Sequence, residues 1–150
     1  MLDIKAVTMK DVRDVARTMR PEDAREVAKM GFEPEEALMR SLAASSIAWT
    51  AVYRFKPVCI FGLAPDSVLG ARARLWLLGS ERLEKCKLSY FKTCKRAVEG
   101  LLSRYPVLWN VVDPEYDRAH KWLTKLGAEW KGKTEVRAGV YFDYFEIRRK

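Results

Sequence analysis

Apolar residues recur along the chain at two spacings, and the switches between them mark out its elements. In "TMKDVRDVARTM", Val12, Val15, Ala16 and Met19 share one face at the 3.6-residue period, behind Thr8 with Asp11 three residues on, which predicts a capped helix. Pro21 suits the first position of a second helix, "PEDAREVAKM", which Gly31 stops, and Pro34 opens a third, "PEEALMRSLAAS". A brief strand from Ile4 to Val7 precedes these helices.

The period then shortens to two. In "SIAWTAVYRF", Ile47, Trp49, Ala51, Tyr53 and Phe55 hold alternate positions, and "PVCIFGLA" follows at once, as a hairpin partner would. A third strand, "ARLWLL", ends at Gly79. From Leu88 the spacing lengthens again: Phe91, Cys94, Val98, Leu101 and Tyr105 lie on one face of a helix ended by Pro106. The stretch "VLWNVVDPEYDRAHKWLTKLGAEWKG" reads as strand, helix and strand, and "GVYFDYFEIRR" closes the chain as a long alternating strand. A meander feeding a strand-helix-strand unit predicts one α/β domain over residues 1–150, with a mixed sheet and helices on both faces.

Composition narrows the function classes. The 150 residues are 49% hydrophobic, enough for one core, and no apolar run is long enough to span a bilayer, so a soluble, cytoplasmic protein without membrane insertion is expected. Cys59, Cys86 and Cys94 show no short metal-ligand spacing and read as reduced structural thiols. The net charge of +8 favours polyanions, phosphorylated cofactors or acidic protein faces, but the cations are spread along the chain rather than gathered on a recognition helix. The single histidine, His120, reads as a surface or packing residue, and the five tryptophans as core or rim. In "DPE", Asp113 suits a helix N-cap, Pro114 the first helical position and Glu115 a first-turn charge.

The element order, together with "VVDPEYDRAHKWLTKLG", resembles the Gcn5-related N-acetyltransferase (GNAT) family, whose fifth strand and fourth helix this segment matches. A strand ending in "WLLG", a basic helix, "YPVLWNVVD" and a "WL" pair before "LG" further resemble GNAT-like proteins of tailed phages, some of them internal virion proteins. The resemblance implies a GNAT-like sheet in which the parallel strands Arg74 to Leu78 and Val107 to Val112 splay toward their C-terminal ends. It implies acetyl-CoA there, against Leu77, Leu78 and Gly79 on one strand and Asn110 on the other, with its pyrophosphate on the turn that follows Gly79.

The sequence departs from that pattern twice. The family turn carries "RxxGxG", whose glycines let backbone amides close on phosphate, whereas "SERLEKCKLSYFK" has none. Either Arg82, Lys85 and Lys87 replace the amide nest, or no nucleotide cofactor binds. The family's usual acid, the tyrosine of "YEKLGF", falls on Leu123, which leaves Tyr116 as the replacement acid and Glu81, Asp113 or Glu115 as a base. Three readings stay open: transfer of acetyl from acetyl-CoA to an amine substrate, a catalytically silent internal virion or assembly protein with virion partners, and a basic protein associated with nucleic acid.

Overall fold

The computed structural model describes residues 2–150. Strand β1 (Asp3–Ala6) leads into helices α1 (Met9–Arg17), α2 (Pro21–Lys29) and α3 (Pro34–Ala44), followed by the meander β2 (Ile47–Tyr53), β3 (Lys56–Pro65) and β4 (Arg72–Gly79). A 3-10 segment (Glu81–Cys86) enters α4 (Lys87–Arg104), and β5 (Val107–Val112), α5 (Asp117–Lys125), β6 (Glu129–Arg137) and β7 (Val140–Arg148) complete the chain. The strands form one mixed sheet in the order β1-β2-β3-β4-β5-β7-β6, and only β4 and β5 run parallel. The expected α/β architecture is therefore the observed one.

Alternation along β4 assigns its two faces. Trp76 and Leu78 join Val12, Val15, Leu38 and Ile60 beneath α1, α2 and α3. Ala73 and Leu75 face the opposite layer, where Val98 of α4 and Leu123 of α5 pack with Leu108, Phe145 and Ile147. The Thr8–Asp11 capping box forms as the sequence predicts: the Asp11 amide donates to the Thr8 hydroxyl, and the Thr8 amide to the Asp11 carboxylate. Gly127, at φ +103°, closes α5 in a conformation that disfavours a side chain, so that Ala128 can donate back to the Leu123 carbonyl.

Two local expectations are corrected. Asp113 does not cap α5, which starts at Asp117 behind Tyr116. The Asp113 carboxylate instead accepts the Glu115 amide at 3.0 Å, an Asx turn that holds "DPE" outside the helix. The β2–β3 turn is Arg54–Phe55, both at positive φ (50° and 68°), a primed hairpin turn built without the glycine or asparagine that usually announces one.

Within the sheet, β4 and β7 are tied across β5 by charge. Glu146, 6% exposed, accepts from Arg72 at 2.7 Å, from the Tyr144 hydroxyl at 2.8 Å and from Arg148 at 2.6 Å. These donors, Arg72 first, hold its carboxyl down at about 2. A folded pKa below the unfolded one stabilises the fold above the unfolded value and loses that stability as pH falls through the folded one. Thermal unfolding followed between pH 5 and pH 2 should show a falling midpoint, and Glu146→Gln should flatten that slope; an equally steep slope in the variant would remove Glu146 as its source.

Candidate active site

β4 and β5 pair over three residues only, Arg72 with Val107, Ala73 with Leu108 and Arg74 with Trp109, and then part. Because Trp76 and Leu78 turn their peptide groups toward β3, those of Leu75, Leu77 and Gly79 turn toward the gap. Buried peptide groups need partners, and side chains and a linker supply nearly all of them.

Asn110 works as a wedge. Its side-chain amide donates to the Leu75 carbonyl at 2.8 Å, while its oxygen accepts the Val111 amide at 2.7 Å, so one side chain imitates the missing ladder on both strands. At the far end, the α1–α2 linker lies antiparallel beside β4: the Arg20 amide donates to the Gly79 carbonyl at 2.9 Å and the Glu81 amide to the Thr18 carbonyl. The Gly79 amide donates to Asp23 at 2.7 Å. Between these closed positions lies the Leu77 peptide, to which neither β5 nor any side chain among the described residues bonds.

Asp23 is 2% exposed and holds the gap from the α2 side. Its carboxylate accepts from the Gly79 amide, from the Tyr116 hydroxyl at 2.5 Å and from Arg20 at 3.1 Å. Tyr116, buried at the start of α5, thus reaches through the parted sheet to α2, and burial followed by the Asp23 charge raises its pKa. One turn further along α2 is Glu26, which accepts the Asp113 amide at 2.9 Å. Burial pushes its carboxyl up to about 8, with the neighbouring Asp23 and Asp113 charges adding to the effect.

The gap opens into a cavity of about 540 Å³ that runs between α4 and α5. Arg20, Asp23 and Glu26 form its polar end, and Leu77, Tyr90, Cys94, Val98, Trp122 and Phe145 contribute to its apolar walls. Tyr90 and Trp122 stack with ring centres 5.2 Å apart. The Trp122 Nε1 and Arg20 Nε atoms are buried without hydrogen-bond partners.

The positions singled out from sequence fall in different places. Leu77, Asn110 and Tyr116 meet at the cavity, as does Lys87, while Leu78 packs under α1 and α3. Arg82 turns away, donating to Asp14 at 3.0 Å and to the Pro57 carbonyl at 2.9 Å. Lys87 pairs with Glu84 at 2.8 Å, Lys85 is exposed, and Glu81 is exposed outside the cavity. Glu115 is on the surface with Lys29. His120 stacks on Trp130 and contacts Asp143 at 2.8 Å, in keeping with a packing role. Sequence reasoning missed Arg20, Asp23 and Glu26, which nothing in the linear pattern sets apart from the other charges around the second helix.

No protein-family model and no curated protein matches the sequence. Solved structures do match in fold. The aminoglycoside acetyltransferase AAC(6')-Ib bound to ribostamycin and coenzyme A is 16% identical, with a TM-score of 0.73 over 99% of this chain and 93% of its own. The PaiA N-acetyltransferase of Thermoplasma acidophilum, in complex with coenzyme A, is 14% identical with a TM-score of 0.68 over 99% of both chains. A spermidine N-acetyltransferase chimera from Vibrio cholerae SpeG and hSSAT is 14% identical, with a TM-score of 0.70 over 98% of this chain and 95% of its own. A fourth similar structure is described as of the GNAT family. The fold is the GNAT fold. In GNAT terms, the parted β4 and β5 are the splayed parallel strands expected from sequence.

Removing the Asp23 carboxylate leaves Arg20 and the Gly79 amide buried without their partner, so Asp23→Ala should cost about 3–5 kcal/mol. Tyr116→Phe removes one neutral donor and should cost about 1–3 kcal/mol. Denaturant unfolding of both single variants and the double variant would show non-additivity; strictly additive losses would mean that the two side chains do not act together.

Proposed function

We propose that the protein is an N-acyltransferase that takes its acyl group from a pantetheine thioester and delivers it to an amine. The unpaired Leu77 peptide, facing an apolar cavity, carries this reading: an amide-bearing arm laid along β4 would complete the ladder that β5 abandons. The cavity walls suit such an arm, and the Trp122 Nε1–H offers it a further donor.

The fit to a nucleotide pyrophosphate is poorer. The residues after β4 wind into a 3-10 segment in which the Arg82 and Leu83 amides donate to Ser80, and a Cβ at Gly79 would collide with Leu83, so that glycine serves packing rather than a phosphate cradle. Acetyl-CoA, as the resemblance implies, would be held through its arm, with Lys85 and Lys87 as the nearby cations.

A bound thioester supplies the activated acyl carbon and a sulfur leaving group. Glu26, ionised, first takes one proton from the ammonium and frees the amine lone pair; the amine then attacks the thioester carbon, the N–C bond forms and the C–S bond breaks, the second nitrogen proton leaves with the sulfur as a thiol, and Glu26 returns the first to water. A base poised near 8 suits this task. Because the Tyr116 hydroxyl is already committed to Asp23, Tyr116 acts by fixing Asp23 and the Gly79 amide across the gap rather than as the acid.

A second reading, a catalytically silent scaffold of the internal virion or assembly type, is favoured by the ion pairs of Arg82, Lys87 and Arg118, which neutralise cations a nucleotide would need. Calorimetry with acetyl-CoA and an amine panel separates the two; absence of both binding and acetylation would leave the scaffold. If the first reading is right, Glu26→Gln should lower turnover by roughly 10² to 10⁴ and remove the ascending limb of the pH profile near 8, with donor affinity unchanged. Tyr116→Phe should leave that limb in place; a loss of the same size with intact affinity would make Tyr116 the acid. Glu26 also gives a readout independent of activity. Its raised pKa makes the folded state lose stability as pH rises from the unfolded value through about 8, so Glu26→Gln should gain on the wild type at pH 9 relative to pH 5.

A further inference from the structure

On the acyltransferase reading, we infer that the thioester donor is presented by an acidic carrier protein bearing a phosphopantetheine arm, docked on the rim formed by α4 and α5. Two independent features of the structure carry this. The first is the contrast within the site: the part that would hold an arm is intact, whereas the part that would grip a nucleotide is not. Glu84 stands at the cavity, bonded to both Lys87 and Arg118, and Glu22 takes the other side of Arg118 at 2.6 Å, so the cations on this side of the cavity are already met by carboxylates. A carrier's arm ends in a single phosphodiester and makes no demand for a pyrophosphate cradle.

The second feature is the distribution of unpaired charge. Lys92, Lys95 and Arg96 form a stripe at i, i+3 and i+4 on the exposed side of α4, and Lys121 and Lys125, at i and i+4 on α5, stand on the cavity wall. None of these five makes an ion pair among the described residues, which leaves their charge available to a partner. Leu88, 80% exposed, also lines the cavity. Cations on the outer side of α4 and on the cavity wall of α5 complement an acidic helical surface, which would be steered and oriented by them while its arm enters between the helices. Transfer then balances as before: the amine gains the acyl group, the C–S bond breaks, and the carrier departs as a free thiol with the proton that the amine gave up.

The test compares two donors that share the arm, acetyl-CoA and an acetylated acyl carrier protein. The carrier should be the better substrate, with kcat/KM higher by about tenfold or more and falling with ionic strength. The apo carrier, which lacks the arm, should compete. Joint Lys92→Glu, Lys95→Glu and Arg96→Glu substitution should weaken carrier binding about tenfold, the sum of three surface pairs, while acetyl-CoA turnover stays within about twofold. Acetyl-CoA used as well as the carrier, or carrier affinity indifferent to the charge reversal, would overturn the inference and leave the acyltransferase standing. So would a DNA duplex that binds this rim more tightly than the carrier does. If neither donor binds or reacts, the acyltransferase reading itself fails and takes this one with it.

Discussion

Three residue pairs hold β4 to β5, and the architecture of the site follows from how the peptide groups beyond them are satisfied. A sheet cannot part in its interior without exposing donors and acceptors where water is scarce. Here each freed group has its own solution: an asparagine side chain for Leu75 and Val111, an aspartate for the Gly79 amide, and the α1–α2 linker for the Gly79 carbonyl. Among the described residues the Leu77 peptide is left without a bond from β5 or from any side chain, and it faces the cavity whose polar end is Arg20, Asp23 and Glu26.

The same constraint explains the buried charge. Asp23 sits in the core because a carboxylate can accept several donors at once, and the Gly79 amide, the Tyr116 hydroxyl and the Arg20 guanidinium converge on it from three different elements. Burial of a lone carboxylate would be prohibitive, and burial of this one is sustained by its donors. Glu26, a turn away, receives only one backbone amide and stands beside two other acids, so its proton is held to a much higher pH. Two acids on one helix are thus set to opposite tasks by their hydrogen-bond partners.

The GNAT fold survives here at 14–16% identity to solved acetyltransferases, and the structure shows which parts of it are separable. The splayed strands are kept by packing on both faces, and they need no glycine nest to form. The turn after β4 is instead closed by Leu83 and tied back through Arg82 to Asp14, which makes it a structural joint.

The alternation of apolar residues fixed the strands and helices, their order and the mixed sheet, because burial of one face imposes a period that survives in the linear sequence. Leu77, Asn110 and Tyr116 were singled out through resemblance of the surrounding segment to a known family, as cofactor contacts and an acid; the bonds of Asn110 to Leu75 and of Tyr116 to Asp23 were not legible. Arg20, Asp23 and Glu26 were not singled out: just before and along α2 they are charges like any others on a helix surface, and only the tertiary structure turns them into the gap between β4 and β5. The pairing of Arg82 with Asp14 and of Glu84 with Lys87 and Arg118 was hidden for the same reason, since sequence records that a charge is present but not which charge from another element will stand beside it. Periodicity is a local property and can be read along a chain; partnership between polar groups is set by distance in three dimensions, and the fold alone supplies that.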